Sequence, residues 1–238
     1  METIPKRVLV IGGGPTGLVA LRNLTERGQF EHVELYERRD NVGGVWRVIY
    51  SSFSYQCIPC GVPIRLFLTN RYFEEKDNAN RNPSWPSPAY KGLIGNVLPE
   101  FLTFSGHPFP EPPTTPYQPF PTLTETCEYL HNFAKPYLES GAIKLSREVV
   151  RVAEMKGGKG WSVLSKDWSN GEGHGEVEEL WDAVVVAVGW YDHPVWPETE
   201  GLEELRRRGI AKHAKWWRGP KGYEGKVKSQ LIFSLFRS

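Results

Sequence analysis

Residues 6–28 of the chain read KRVLVIGGGPTGLVALRNLTERG, and no other stretch limits the possible folds as strongly. Four consecutive apolar residues, 8–11, lead directly into Gly12, Gly14 and Gly17, spaced Gly-x-Gly-x-x-Gly. A continuous short apolar run is the pattern of a strand covered on both faces. Pro15 can open a helix, because the first helical turn does not need its N–H. Leu18, Leu21 and Leu24 then recur near helical spacing, and Gly28 can close the helix. A strand, a glycine turn and a helix in that order begin a βαβ unit, so an α/β fold is expected.

The next stretch, HVELYERRD, reads as the second strand and places Glu37 twenty residues after Gly17. Glycine turn and acidic residue together form the dinucleotide-binding fingerprint in its required context. Gly12 permits the tight turn, Gly14 lets a pyrophosphate approach the backbone, and Gly17 lets helix and strand pack closely. The helix N-terminus adds N–H donors and partial positive charge. Glu37 can accept hydrogen bonds from ribose hydroxyls, and its charge would repel a 2′-phosphate. This first site therefore suits FAD or NAD rather than NADP. The following DNVGGVW brings Gly43, Gly44 and Trp46 soon after the acidic residue, where enzymes with two dinucleotide sites carry a second glycine pair beside FAD.

The rest of the 238 residues is consistent with one large domain or slightly more. A net charge of +1 gives no broad field to attract nucleic acid. The low, odd cysteine count (Cys57, Cys60, Cys127) argues for a reducing compartment. No apolar run is long enough for a signal peptide or membrane span, so a cytoplasmic protein without a membrane span is expected. Eleven prolines in residues 83–121, among many aromatics, predict an ordered but irregular wrap over a pocket or core. TLTETCEYLHNFAKPYLESG predicts a helix capped by Thr122 and Glu125, with Leu123, Cys127, Leu130, Ala134 and Tyr137 on one face, Pro136 bending the last turn and Gly141 closing it. IKL, EVVRVAEM, GWSVLSKD and WDAVVVAVG are strand candidates. Together they predict a mostly parallel, Rossmann-like sheet with an antiparallel strand layer over about 148–182, and residues 183–188 as a buried strand.

With these motifs in order, the chain resembles the flavin-containing monooxygenase family. VLVIGGGPTGL resembles its FAD motif, DNVGGVW its glycine-pair segment, YKGLIGNVLPEFLTFSGHPFP its aromatic-and-Asn stretch, and FPTLTETCEYLHNFAKPY the helix that follows. WDAVVVAVGWYDHPVWPETEGLEEL resembles its returning strand, with Ala187-Val188-Gly189 in place of Ala-Thr-Gly. GIAKHAKWW resembles the fingerprint F-x-G-x-x-x-H-x-x-x-[YF]: Gly209 and His213 fit, Trp217 replaces the last aromatic, and Arg207 stands at the phenylalanine position. The resemblance implies FAD and NADP(H) as cofactors, and O2 and a small molecule as substrates. NADPH would reduce bound FAD, and reduced flavin would take up O2 as a C4a-hydroperoxide and pass one oxygen to a soft nitrogen or sulfur, or to a ketone. It implies Asn96 as a catalytic residue near the flavin. Gly12, Gly14, Pro15, Gly17, Glu37, Gly44, Trp46, Asn96, Val149 and Gly189 would bind cofactor, and no metal is implied. It gives no oligomeric state.

Two alternatives stay open. A flavin disulfide reductase would use Cys57 and Cys60 as a redox pair, although the Gly209/His213 element does not belong to that class. The other is a non-catalytic FAD-binding fragment. In the family, the segment after the fingerprint leads through Gly-Lys into a second glycine turn for NADPH. Here Gly225-Lys226 is followed by VKSQLIFSLFRS, without glycine. The expected organisation is thus an incomplete FAD-binding domain over 1–218 and a remnant of a second dinucleotide domain at 219–238 with the rest of that domain missing, which implies poor FAD retention and low activity with NADPH.

Overall fold

The backbone of Arg7–Ile11 (β1) lies at the centre of the molecule, and both of its faces are covered. The computed structural model describes residues 5–47, 85–110, 119–169, 174–190 and 192–225. From β1 the chain turns at Gly12 into helix α1 (Pro15–Arg27), then returns as β2 (His32–Tyr36), parallel to β1 from Arg7 opposite His32 to Ile11 opposite Tyr36. The predicted βαβ beginning is present, and Pro15 is the first helical residue. Residues 83–121, where described, form an irregular wrap with one helical turn, α2 (Pro99–Leu102). Phe104 and Phe109 of the wrap pack on the main core.

Helix α3 (Leu123–Glu139) follows. Its capping box is formed: Thr122 Oγ1 accepts from the Glu125 N–H, and the Glu125 carboxylate accepts from the Thr122 N–H at 2.7 Å. The five residues expected on one face are all buried. Pro136 lies inside the helix, which continues through it to Glu139. The short β3 (Ile143–Lys144) joins β2, and β4 (Arg147–Glu154), β5 (Trp161–Asp167) and β6 (His174–Trp181) form an antiparallel sheet. Strand β7 (Ala183–Val186) returns to β1, and the small helix α4 (Leu202–Arg207) comes later. Among the described residues the parallel sheet has the order β3-β2-β1-β7.

Side chains alternate across β1 as a strand requires. Val10 faces α1 and α3, with Leu18, Leu21, Leu35, Leu130 and Phe133. Leu9 and Ile11 face the antiparallel sheet, with Tyr36, Val163 and Trp181. The result is helices on one side of the parallel sheet and the antiparallel sheet on the other. Tyr36 reinforces the second contact by donating from its hydroxyl to the Glu179 carboxylate at 2.7 Å. Burial first, and then this carboxylate, push the Tyr36 hydroxyl far above its usual range.

The structure corrects two readings. WDAVVVAVG is not one strand: Trp181 ends β6, Ala183 begins β7, and Asp182 lies between the two sheets. The Asp182 carboxylate accepts from the N–H groups of Lys6 and Arg7, both at 2.8 Å, and so joins this crossing to the start of β1. Residues 183–188 are also not buried throughout. Strand β7 is an edge of the described sheet, and Val186 and Val188 are 65% and 61% exposed.

Candidate functional site

The glycine turn sits where β1 ends and α1 begins, and its spacing is fixed by contacts inside the protein. A Cβ at Gly17 would lie 1.8 Å from the Gly12 carbonyl oxygen, and one at Gly12 would lie 2.6 Å from the Ala187 carbonyl oxygen. These are backbone atoms, so neither clash can be relieved by a side chain moving. Gly14 is different. It is extended, at φ −77 and ψ 179, and a Cβ there would meet nothing closer than Gly44 Cα at 3.7 Å. Nothing described inside the protein obstructs a side chain at 14, so the backbone there is left bare. Gly14 is also the N-cap of α1, with no side-chain cap and no acidic residue in the first turn, so this helix end remains open to an anion.

Glu37 lies at the turn and is 3% exposed. One carboxylate oxygen accepts from the Gly13 N–H at 2.6 Å, and the other accepts from the Arg39 N–H at 2.9 Å. Arg39 Nη1 stands 3.9 Å from the same carboxylate, and burial holds the Arg39 guanidinium below its usual pKa despite that negative neighbour. Each carboxylate oxygen keeps a second acceptor position. Gly43 donates its N–H to the Gly13 carbonyl at 2.8 Å, and Gly44 begins a 3₁₀ turn, Gly44–Trp46, packed against Gly14. The two glycine elements of the sequence are therefore in direct contact.

The other sequence candidates lie at different distances from this centre. Gly189 lies three residues beyond β7; Ala187, the first residue after the strand, donates its N–H to the Ile11 carbonyl at 2.8 Å, so this stretch passes beside the turn. Val149 is in β4, beside an irregularity in its pairing with β5, and packs against the core between the sheets. Trp46 is half-buried on the main core. Asn96 is exposed, and its amide has no hydrogen-bond partner among the described residues, so it is not used to cap its own loop. His213 Nδ1 accepts from the Lys215 N–H at 3.1 Å, and its ring meets Trp196 edge-on at 5.6 Å. It borders a surface cavity of about 660 Å³ that also contacts Arg206, Lys212 and Trp216. Cys57 and Cys60 lie outside the described residues, and Cys127 is buried in α3. Among the described residues there is no cluster of metal-binding side chains and no helix long and apolar enough to cross a membrane.

A set of charges gathers around Asp192 that no motif or spacing announces. Arg38 Nη2 lies 2.8 Å from its carboxylate and Lys215 Nζ 3.7 Å. Burial works against ionisation of Asp192, but the Arg38 hydrogen bond and the surrounding positive charges outweigh it and hold the carboxyl below its usual range.

The turn, its helix and the parallel strands define a Rossmann-like dinucleotide-binding unit, and residues 10–75 match the family model for an NAD(P)-binding Rossmann-like domain. Flavin-containing monooxygenase FMO GS-OX-like 9 of Arabidopsis thaliana is 29% identical over 225 residues, covering 93% of this chain and 44% of its own length. FMO GS-OX2 of the same plant is 30% identical over 228 residues, with 93% and 43% covered. Among solved structures, S-allyl-L-cysteine S-oxygenase from Allium sativum is 30% identical with a TM-score of 0.59, over 84% of this chain and 40% of that one. Tmm from Pelagibacter, at 22% identity and a TM-score of 0.54 over 82% of this chain and 39% of that one, shares the fold. Over nearly its whole length the chain is a homologue of the flavin-containing monooxygenases, and it spans less than half the length of the curated relatives it matches.

Proposed function

We propose that residues 1–218 form the FAD-binding unit of a flavin-dependent, NADP(H)-using monooxygenase, with 219–238 lying outside that unit. The observation that carries this reading is Gly14. It is a glycine with room for a side chain, at an uncapped helix N-terminus, in contact with Gly44. A phosphate arriving at that backbone would need the space a Cβ would take.

Each residue then has a task. Gly12 and Gly17 hold turn and helix close, and Pro15 starts the helix. The N–H groups at the start of α1 and the bare Gly14 receive the pyrophosphate. Glu37 uses its remaining acceptor positions on ribose hydroxyls, and its charge disfavours a 2′-phosphate, so FAD rather than NADP suits this turn although the matching family model is named for NAD(P). Gly44 and Trp46 form the next wall, Val149 and Gly189 flank the cofactor, and Asn96 offers an amide near the reacting end. Bound FAD would supply the redox and oxygen chemistry, with NADP(H) as hydride source. The substrate would be a small soft nucleophile, with sulfur favoured over nitrogen because the sulfur oxygenase from Allium sativum is as similar as 30%.

The test is to incubate the purified chain with FAD, remove free flavin by gel filtration and record the visible spectrum. The expected result is retained flavin, with about tenfold weaker binding in Glu37→Gln, which keeps an acceptor for Gly13 but loses the charge. A chain that retains no flavin would refute the proposal.

A further inference from the structure

Three motifs far apart in the sequence meet through one carboxylate. Arg38 follows Glu37 of the glycine-turn site. Asp192 lies three residues beyond Gly189, and Lys215 two residues beyond His213. Arg38 Nη2 is 2.8 Å from Asp192 Oδ1, and Lys215 Nζ is 3.7 Å from the same oxygen and donates to the Asp192 carbonyl. The Lys215 side chain is 9% exposed, so its ammonium is largely removed from water and depends on these two acceptors. His193 Nε2 lies 3.9 Å from the other carboxylate oxygen, but its side chain is 96% exposed and adds little.

Both sides of this bridge are anchored. On one side the Arg38 guanidinium lies over the Trp85 ring at 5.4 Å, and Arg39 Nε donates to the Trp85 carbonyl at 2.9 Å. On the other side the Lys215 N–H binds His213 Nδ1, the Lys215 carbonyl accepts from Arg218, and Trp217 meets Tyr90 edge-on at 4.2 Å. Packing does less here. Gly189 and Gly209 have nothing within 4 Å of a built Cβ, and Val195, Ile210 and Trp216 are exposed. A buried cation that loses its counter-charge is strongly destabilising locally, so the segment should depend on Asp192 more than an exposed ion pair would suggest.

We propose that Asp192 is a positioning residue for the dinucleotide site: it joins Arg38 to Lys215 and thereby holds residues 209–217, with His213, against the segment after β2 that carries Glu37. Asp192 itself touches no cofactor in this scheme. The proposal rests on the reading that the glycine turn binds FAD.

The test uses the full chain and two readouts, trypsin cleavage mapped by mass spectrometry on FAD-free protein and FAD affinity by titration. In Asp192→Asn, cleavage at Arg206, Arg207, Arg208 and Lys212 should accelerate about tenfold and FAD should bind at least about threefold more weakly, as expected for loss of a partly buried charge pair. Lys215→Met, which keeps the apolar stem and removes the charge, should move both readouts in the same direction. Asp192→Glu should restore most of both, which separates loss of the bridging carboxylate from a general loss of packing. Unchanged cleavage in both variants would overturn the proposal, as would faster cleavage with unchanged FAD affinity. A wild-type chain that takes up no FAD would refute the functional reading and this proposal together, whereas equal uptake by wild type and Asp192→Asn refutes this proposal alone.

Discussion

The turn at 12–17 and the segment at 189–217 both carry glycines in recognisable motifs, yet they are built in opposite ways. At the turn, glycine is required by the protein itself: a Cβ at Gly17 or Gly12 would run into backbone oxygens at 1.8 and 2.6 Å. In the later segment, Gly189 and Gly209 have left-handed backbone and open surroundings, and the chain is held by Arg38, Asp192 and Lys215. A motif enforced by packing leaves one permitted geometry. A motif held by charges keeps its geometry only while the charges are paired. The difference makes the two regions separable by experiment.

The largest effect should come from Gly17→Ala. Backbone atoms obstruct the new methyl, so the loss should reach about 3 kcal/mol or more, the upper range for overpacking. Gly209→Ala should cost only about 1–2 kcal/mol, the price of a left-handed backbone at a non-glycine residue. Chemical denaturation of the two variants side by side checks this, and equal losses would break the contrast.

Trp181 comes next. It is 2% exposed, lies under the Arg7 guanidinium at 4.6 Å and packs between the two sheets. Trp181→Ala should cost about 3–5 kcal/mol. Its indole N–H has no hydrogen-bond partner among the described residues, so Trp181→Phe should cost clearly less, which the same denaturation series would show.

A smaller effect should appear with pH. Asp182 is held below its ordinary value of 3.8, first by hydrogen bonds from the Arg7 and Lys6 N–H groups. Asp192 is also low, with burial opposing and Arg38 and its neighbours prevailing. A carboxyl depressed in the folded state adds stability that is complete above its unfolded pKa and is lost as pH falls through its folded pKa. Stability should therefore decline on acidification below about pH 4. Replacing both residues with Asn should flatten that part of the curve, and a wild-type curve with the same slope as the double variant would contradict this origin.

The packing-enforced region was also the legible one. The apolar run, the glycine spacing and Glu37 predicted β1, α1 and β2 in the right places, and Thr122 with Glu125 predicted the capping box of α3. Strand β6 was missed because HGEVEELW exposes most of its described side chains. Glu176 and Glu178 meet Lys166 and Arg151 at the surface, and Trp181 alone is an apolar residue in the core. For residues 183–188 a continuous apolar run implies cover on both faces, whereas β7 is an edge of the described sheet. The charges around Asp192 had no pattern to read, since their spacing in the chain follows no helical or strand period. The Gly13–Glu37 hydrogen bond is different: the spacing of Gly17 and Glu37 places the carboxylate at the turn but does not say which N–H it accepts from.

Gly14→Ala tests the FAD reading of the turn most directly. The residue is extended and open to a methyl group, so the variant should keep its stability within about 1 kcal/mol. FAD titration of this variant beside the wild type should show flavin uptake by the wild type and at least about tenfold weaker uptake by the variant, equivalent to 1.4 kcal/mol or more. Equal affinity in the two proteins, with stability unchanged, would mean that no phosphate approaches the turn at Gly14.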